Sequence, residues 1–180
     1  MEWIIEFNQI HKYQNIIFIK NTMKTAIITG MTKNRVIGKN NKLPWNIKDD
    51  LKLFKQLTTD NTVIMGYNTY VSLPDNFRPL PNRNNIVLSR KDIKIEGVQV
   101  CNNIKDAINL AQRYNKKIFV IGGTQTYNEA LPFVNELCIS HIKEDYEGDT
   151  YFPEFNEKEW MITEIREFPE FVFKKYIRKK

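Results

Sequence analysis

Residues 117–133 read KIFVIGGTQTYNEALPF. Ile118, Phe119, Val120 and Ile121 form a short unbroken apolar run, the pattern of a strand buried on both faces. Gly122 and Gly123 end it, and TQTYNEALPF then has the spacing of a helix. A strand that passes through glycines straight into a helix points to an α/β fold.

The same alternation extends on both sides. Upstream, KTAIITGM (24–31) is a strand. The polar stretch TKNRVIGKNNKLPWN (32–46) reads as a long loop, marked by Gly38, two asparagines and Pro44. IKDDLKLFKQLT (47–58) reads as a helix capped by Asn46, TVIMG (62–66) as a strand and NTYVSL (68–73) as a short helix. A Pro-rich segment, PDNFRPLPNR (74–83), leads to the strand NIVLSR (85–90). IKDAINLAQRY (104–114) is helical and ELCISHI (136–142) extended. EGDTYFP (147–153) is a turn-bearing loop, and WMITEIREF and FVFKKYIRKK are strands on either side of Pro169. Strands alternating with helices predict a three-layer α/β/α fold. Its central sheet should be mostly parallel, with an antiparallel hairpin at the C-terminal end.

The 180 residues suffice for one domain with a sizeable core. Residues 1–22 differ in character from the rest of the chain, mixing apolar pairs with polar residues and lacking Gly and Pro. They read either as an extension of unknown role or as an element docked on the body, with the domain proper over 23–180. No apolar run reaches the ~20 residues of a membrane helix. The N-terminus lacks a secretory pattern. The two cysteines, Cys101 and Cys138, form no disulfide framework, and with two histidines no zinc pattern exists. The expectation is a cytoplasmic protein without metal. The net charge of +6 favours anionic partners such as nucleotides, nucleic acid or polycarboxylates, although the dispersed lysines are better described as a solvated surface.

Three features carry candidate chemistry. At about 100° per residue, Ile47, Leu51, Phe54 and Leu57 form one apolar face of the first helix. Asp50 then falls between Phe54 and Leu57, while Asp49 faces away. A carboxylate in an apolar wall suits a cationic or amidine-like group; alternatively, Asp50 only complements the helix N-terminus. Second, Val120–Gln125 places glycines between strand and helix, where a phosphate could approach the backbone. This is neither G-x-G-x-x-G nor a Walker motif. Gly66, with Thr69 close behind it, forms a second such junction. Third, Ser89 and Arg90 leave the end of the NIVL strand. In open α/β sheets ligands bind at carboxyl ends of strands, so these junctions suggest a nucleotide across the sheet, with Arg90 free for an extra phosphate. Covalent catalysis is poorly supported: there is no G-x-S-x-G, and Cys138 and His141 fall on opposite faces of one strand.

Taken in order, Arg35–Gly38, Leu43–Asn46, Asp50–Leu51 with Phe54–Lys55, Val63–Gly66, Thr69, Arg78–Arg83, Asn85–Ser89, Val120–Gly123 and Glu147–Pro153 resemble dihydrofolate reductases of the single-domain bacterial or phage kind. The resemblance spans residues 25 to about 178. It implies reduction of 7,8-dihydrofolate to tetrahydrofolate by hydride transfer from NADPH, in support of one-carbon metabolism. It also implies dihydrofolate and antifolates as ligands, a monomer, and no nucleic-acid or membrane partner. By resemblance, Asp50 binds the pterin N3 and 2-amino edge. Ser140 supports that carboxylate, where relatives usually carry Thr; Trp45 holds a water near it; Leu43 belongs to the loop over the nicotinamide. Ile28, Leu51, Phe54, Leu73 and Leu80 would wall the folate, and Arg83 would take its α-carboxylate. Gly122, Gly123, Thr124 and Gln125 would cradle the cofactor pyrophosphate with Gly66 and Thr69. Thr29 and Ile121 would flank the nicotinamide, Ile37 and Tyr127 would also bind the cofactor, and Ser89 and Arg90 would lie at the adenosine end.

Some positions depart from the family pattern. Tyr67 and Asn68 stand where many relatives carry a basic residue for the adenosine 2′-phosphate. Thr124 replaces a third glycine, and residues 1–22 have no counterpart. Reductases of riboflavin biosynthesis share the fold, but should lack the Trp45–Asp50–Arg83 set. A non-catalytic protein retaining the fold is the reading of a different class.

Overall fold

The computed structural model describes residues 24–180, so the extension expected over residues 1–22 lies outside the described residues. Alternation along the central strands sorts their side chains into two cores. In β1 (Thr25–Met31), Ile27 and Met31 join one apolar cluster, and Ala26 and Ile28 the other. β3 (Thr62–Gly66), β4 (Asn84–Leu88), β6 (Ile118–Val120) and β7 (Glu136–Ile142) repeat the division. This two-sided burial explains why these segments read as continuous apolar runs.

Helices cover each face. α1 (Lys48–Thr58) contributes Leu53, Phe54 and Leu57 to the cluster with Ala26 and Ile28. α2 (Tyr67–Ser72) adds Tyr70 to the same side. α3 (Ile104–Gln112) and α4 (Thr124–Ala130) pack on the opposite face, through Ile104, Ala107, Ile108, Ala111, Tyr127 and Ala130. Three layers result, as the alternation predicts.

The main sheet has eight strands in the order β5-β4-β3-β6-β1-β7-β10-β9, where β5 is Gln99–Cys101, β9 Trp160–Glu167 and β10 Phe171–Arg178. Neighbours from β5 to β7 are parallel; β10 pairs antiparallel with both β7 and β9. A short β2 (Val36–Gly38) pairs antiparallel with β8 (Thr150–Tyr151).

Three local expectations change. Helix α1 is preceded by Ile47, not Asn46, as its N-cap residue, and no side chain caps it. Asp49 and Asp50 lie in its first turn. Leu51 is 47% exposed, whereas Leu53 is buried. Counted at about 100° per residue, the buried arc runs from Leu53 through Leu57, Asp50 and Phe54 to Ile47. Leu51 sits at its edge, and Asp50 sits nearer its centre than the apolar pattern implies. Finally, the stretch 32–46 is not all loop: β2 lies in it, and Lys39 and Lys42 bridge a turn through Asn40 and Asn41, at φ +51° and +59°.

The topology lines up ends. β6 returns to insert between β3 and β1, so the carboxyl ends of β4, β3, β6 and β1 form one crevice-bearing edge. At the opposite end, Glu136 opens β7 with its side chain only 1% exposed. Lys117 contacts its carboxylate, and the ammonium groups of Lys175 and Lys24 lie 3.5 and 3.6 Å away. Burial pushes this carboxyl up, but the Lys117 hydrogen bond and the three charges outweigh it and hold it below the usual range. A depressed carboxyl contributes stability above the unfolded value of about 4.3 and loses it as pH falls through the folded value. Glu136→Gln should therefore destabilise by about 2–3 kcal/mol at neutral pH, less than a fully buried pair because the lysine heads reach solvent. Denaturant unfolding should show the gap closing in acid, with kcat unchanged, since Glu136 is remote from the crevice.

Candidate active site

Gly30, near the carboxyl end of β1, marks the centre of the crevice. A Cβ there would lie 3.1 Å from Trp45 Cζ2 and 3.2 Å from Asp50 Oδ2, so the absent side chain lets the indole and the carboxylate approach the sheet. Ser140, buried on β7, is the register partner of Gly30. Burial raises the Asp50 carboxyl above its ordinary value; the Ser140 hydroxyl and then the Trp45 indole pull it back. The indole acts from outside hydrogen-bond geometry, for its N–H is buried without a partner. An orphaned donor beside a half-buried carboxylate is a group that a ligand or solvent molecule completes.

Around this centre the wall is apolar. Ile28 and Leu80 are buried, and Phe54 and Leu73 are half-buried in the same cluster. Leu80 is fixed by its backbone, whose N–H donates to Asn85 Oδ1 at 3.1 Å while Asn85 Nδ2 donates back to its carbonyl at 2.9 Å. Leu43 and Leu51 are about half exposed, so neither is packed into the core. Arg83 is anchored at the end of α1: Nε donates to Thr58 Oγ1 at 2.9 Å, one terminal nitrogen to the Pro81 carbonyl at 2.6 Å, and its guanidinium lies 5.9 Å from the Phe54 ring centroid. Partial burial lowers its pKa, which Asp60 offsets in part. Even so, a guanidinium keeps its charge, and two terminal nitrogens carry more donors than these bonds use.

The second region joins the ends of β3 and β6. The Gly66 N–H donates to the Gly122 carbonyl at 2.7 Å. A Cβ at Gly66 would fall 2.8 Å from Thr126 Oγ1, and one at Gly122 only 3.2 Å from the Tyr127 hydroxyl. Gly122 also has φ +118°, a conformation other residues rarely adopt. At Gly123 a Cβ would meet only Thr69 Oγ1, at 3.5 Å, so the backbone is open on that side. Tyr127 ties the two regions together: its buried hydroxyl donates to the Ile28 carbonyl at 2.9 Å, and burial pushes its pKa up. Thr29 Oγ1 donates to the Gly30 carbonyl, and Thr124 Oγ1 to the Tyr151 carbonyl. Ile121 is half-buried, Ile37 is buried on β2, and Gln125 pairs with Glu129 on the exposed side of α4. A bare, glycine-built shelf beside hydroxyls fits a pyrophosphate.

At the outer end, Ser89 and Arg90 follow β4. The Ser89 hydroxyl is already engaged, bonding both the N–H and the carbonyl of Lys91 at 3.1 Å. Arg90 is exposed and makes no hydrogen bond or ion pair among the described residues. The structure thus assembles Gly30, Trp45, Asp50 and Ser140 at one place and Gly66, Thr69, Gly122, Gly123 and Tyr127 at another. Leu43 is half exposed and Arg90 is exposed. Sequence reasoning missed Gly30 and Thr126. A glycine inside the apolar strand TAIITGM was the available signal for Gly30; nothing marked Thr126.

A dihydrofolate reductase family model matches residues 24–177. The chain is 45% identical to the dihydrofolate reductase of Buchnera aphidicola subsp. Acyrthosiphon pisum over 133 residues, 74% of this chain and 81% of that protein. It is 40% identical to that of Bacillus subtilis over 138 residues, 76% and 80% of the two chains. Its fold is similar to that of dihydrofolate reductase from Enterococcus faecalis complexed with NADP(H) and RAB-propyl, with a TM-score of 0.78, 33% identity, and coverage of 87% of this chain and 97% of that one.

Proposed function

Because the chain belongs to the dihydrofolate reductase family, we propose that this crevice is where it reduces dihydrofolate with NADPH, and that Asp50 binds and polarises the pterin. The observation that carries this reading is the Asp50 carboxylate, turned inward beside Gly30 and flanked by Trp45 and Ser140. An inward carboxylate with raised proton affinity pairs with the amidine-like N3 and 2-amino edge of a pterin through two charge-assisted hydrogen bonds. It thereby stabilises the protonated ring that accepts hydride. NADPH supplies that hydride when bound. The orphaned Trp45 N–H orients solvent at the carboxylate, and Ser140 fixes the carboxyl rotamer. Ile28, Phe54, Leu73 and Leu80 exclude water from the ring, with Leu51 and Leu43 closing over bound ligand.

The shelf at Gly66, Thr69, Gly122, Gly123, Thr124 and Gln125 would hold the cofactor pyrophosphate. Thr29, Ile37, Ile121 and Tyr127 would line its nicotinamide side. Antifolates that present the same amidine edge would compete at Asp50. The folded unit is taken as residues 23–180, with residues 1–22 outside the catalytic machinery; the family match over 24–177 supports this. No helix among the described residues is long and apolar enough to cross a membrane. The unpaired Cys101 and Cys138 suit a reducing cytoplasm, and helices of the same chain on both sheet faces suit a monomer. The test is spectrophotometric: the purified chain should consume NADPH only when dihydrofolate is added, forming tetrahydrofolate. Failure to do so would leave the fold without its function.

Arg83 separates substrate from cofactor. Its donors at the end of α1 are proposed to clamp the substrate α-carboxylate, a pair of roughly 1.5–3 kcal/mol. Arg83→Leu should weaken dihydrofolate binding by ~10-fold or more in a fluorescence titration. NADPH binding should barely change; equal loss for both ligands would mean that the Thr58 and Pro81 bonds are only structural.

A further inference from the structure

The Trp45 indole lies beside Gly30 at the candidate site. It also packs against Tyr146, which comes from residues 143–149 between β7 and β8. The two rings lie 5.6 Å apart between centroids, tilted by 59°. Tyr146 packs against the same apolar cluster as Trp45, Ile28 and Ile142. Its hydroxyl donates to Glu144 Oε2 at 3.1 Å, outside the crevice. Thus the ring, not the hydroxyl, meets the indole.

The segment that carries Tyr146 is gripped at both ends. On one side, β7 brings Ser140 to the Asp50 carboxyl. On the other, Lys39 pairs with Glu147 at 2.9 Å and the Asn40 N–H donates to Asp149 Oδ2 at 2.9 Å. A Cβ at Gly148 would collide with Val36 Cγ1 at 2.3 Å, so this backbone lies directly against β2. Trp45, only a few residues beyond that turn, has no hydrogen bond of its own to fix the indole. Packing must do so. Gly30 admits the ring without a side chain to support it, and the aromatic neighbour of the indole is Tyr146.

We propose that Tyr146 is a positioning residue for the reaction, its ring bracing Trp45 from outside so that the indole N–H stays beside the Asp50 carboxylate. This rests on the proposed roles of Asp50 and Trp45. A tilted aromatic pair restricts the indole to one orientation, and small displacements near a reacting centre cost rate steeply.

The test uses the full chain and a cycle of Tyr146→Ala, Tyr146→Phe and Trp45→Phe. Tyr146→Phe keeps the ring and should stay within about twofold of wild type. Tyr146→Ala should lower the hydride-transfer rate by about tenfold and shift its pH profile, with the KM for NADPH nearly unchanged. In a nitrogen–proton spectrum, the indole resonance assigned to Trp45 by its loss in Trp45→Phe should move and exchange faster in Tyr146→Ala, but not in Tyr146→Phe. In the Trp45→Phe background, with no indole N–H to position, Tyr146→Ala should cost little further. Should the alanine variant fold poorly, Tyr146→Leu replaces it, keeping apolar bulk without a flat ring. An unshifted pH profile and indole resonance in Tyr146→Ala, or an equal loss in the Trp45→Phe background, overturns the proposal. If Trp45→Phe alone behaves as wild type, the reading of Trp45 itself falls, and the brace with it.

Discussion

Asp50→Asn should lose at least ~100-fold in turnover at neutral pH and melt at a higher temperature than wild type. The first effect arises from charge. Asparagine keeps the shape and one acceptor oxygen, but removes the anion that pairs with the protonated pterin; contributions of this kind are worth ~100-fold to 10,000-fold. The second arises from burial. Asp50 lies near the centre of the arc that α1 buries, and that burial raises its carboxyl. Such a group costs the folded state nothing below about pH 4, where it is protonated folded or unfolded, and costs more as pH rises through the folded value. Removing it should therefore stabilise the ligand-free protein at neutral pH, and the difference should vanish in acid. A stable but inactive variant would show that Asp50 is kept for chemistry. An inactive and less stable one would make it a structural carboxylate at the helix N-terminus.

Arg90→Ala should reduce the preference for NADPH over NADH by about ten- to a hundredfold. The two cofactors differ by one phosphate on the adenosine ribose, and Tyr67 and Asn68 present no cation after Gly66. Of the two residues at the end of β4, Ser89 already spends its hydroxyl on the Lys91 backbone, so on this proposal the recognition would fall to Arg90. A guanidinium–phosphate hydrogen bond is worth roughly 1.5–3 kcal/mol, which sets the expected ratio. NADH binding should hardly change. Lys91→Ala provides the control for general positive charge, which acts on both cofactors and fades with salt. A mutant that keeps its preference, or a wild type that has none, would return Arg90 to the surface.

The parts legible in the sequence are those where burial dictates residue type over several positions. VIM of β3 and IV of β4 lie in the sheet interior and read as strands because apolar side chains cover both faces there. Gly122 and Gly123 are visible because the chain needs bare backbone there. β2 and β5 escape because VIG and QVC each hold only two apolar residues in a row, whereas β6, equally short, lies in the longer apolar run IFVI. Helical spacing identifies the α1 stripe but not which edge the sheet covers, so it points Leu51 inward in place of Leu53. The Ser89 hydroxyl reads as free for a ligand, since a bond to the backbone two residues on leaves no compositional trace. Tyr146 against Trp45 joins positions far apart in the chain, and only the folded register brings them together.

The central claim is that one ionised carboxylate at position 50 drives hydride transfer by pairing with a protonated pterin. Single-turnover hydride transfer, measured for wild type and Asp50→Asn across acid to neutral pH, tests it most directly. The gap between the two enzymes should be widest at neutral pH and narrow steadily in acid, where the substrate is already protonated in solution. A gap that stays constant with pH, or a variant as fast as wild type at neutral pH, would contradict it.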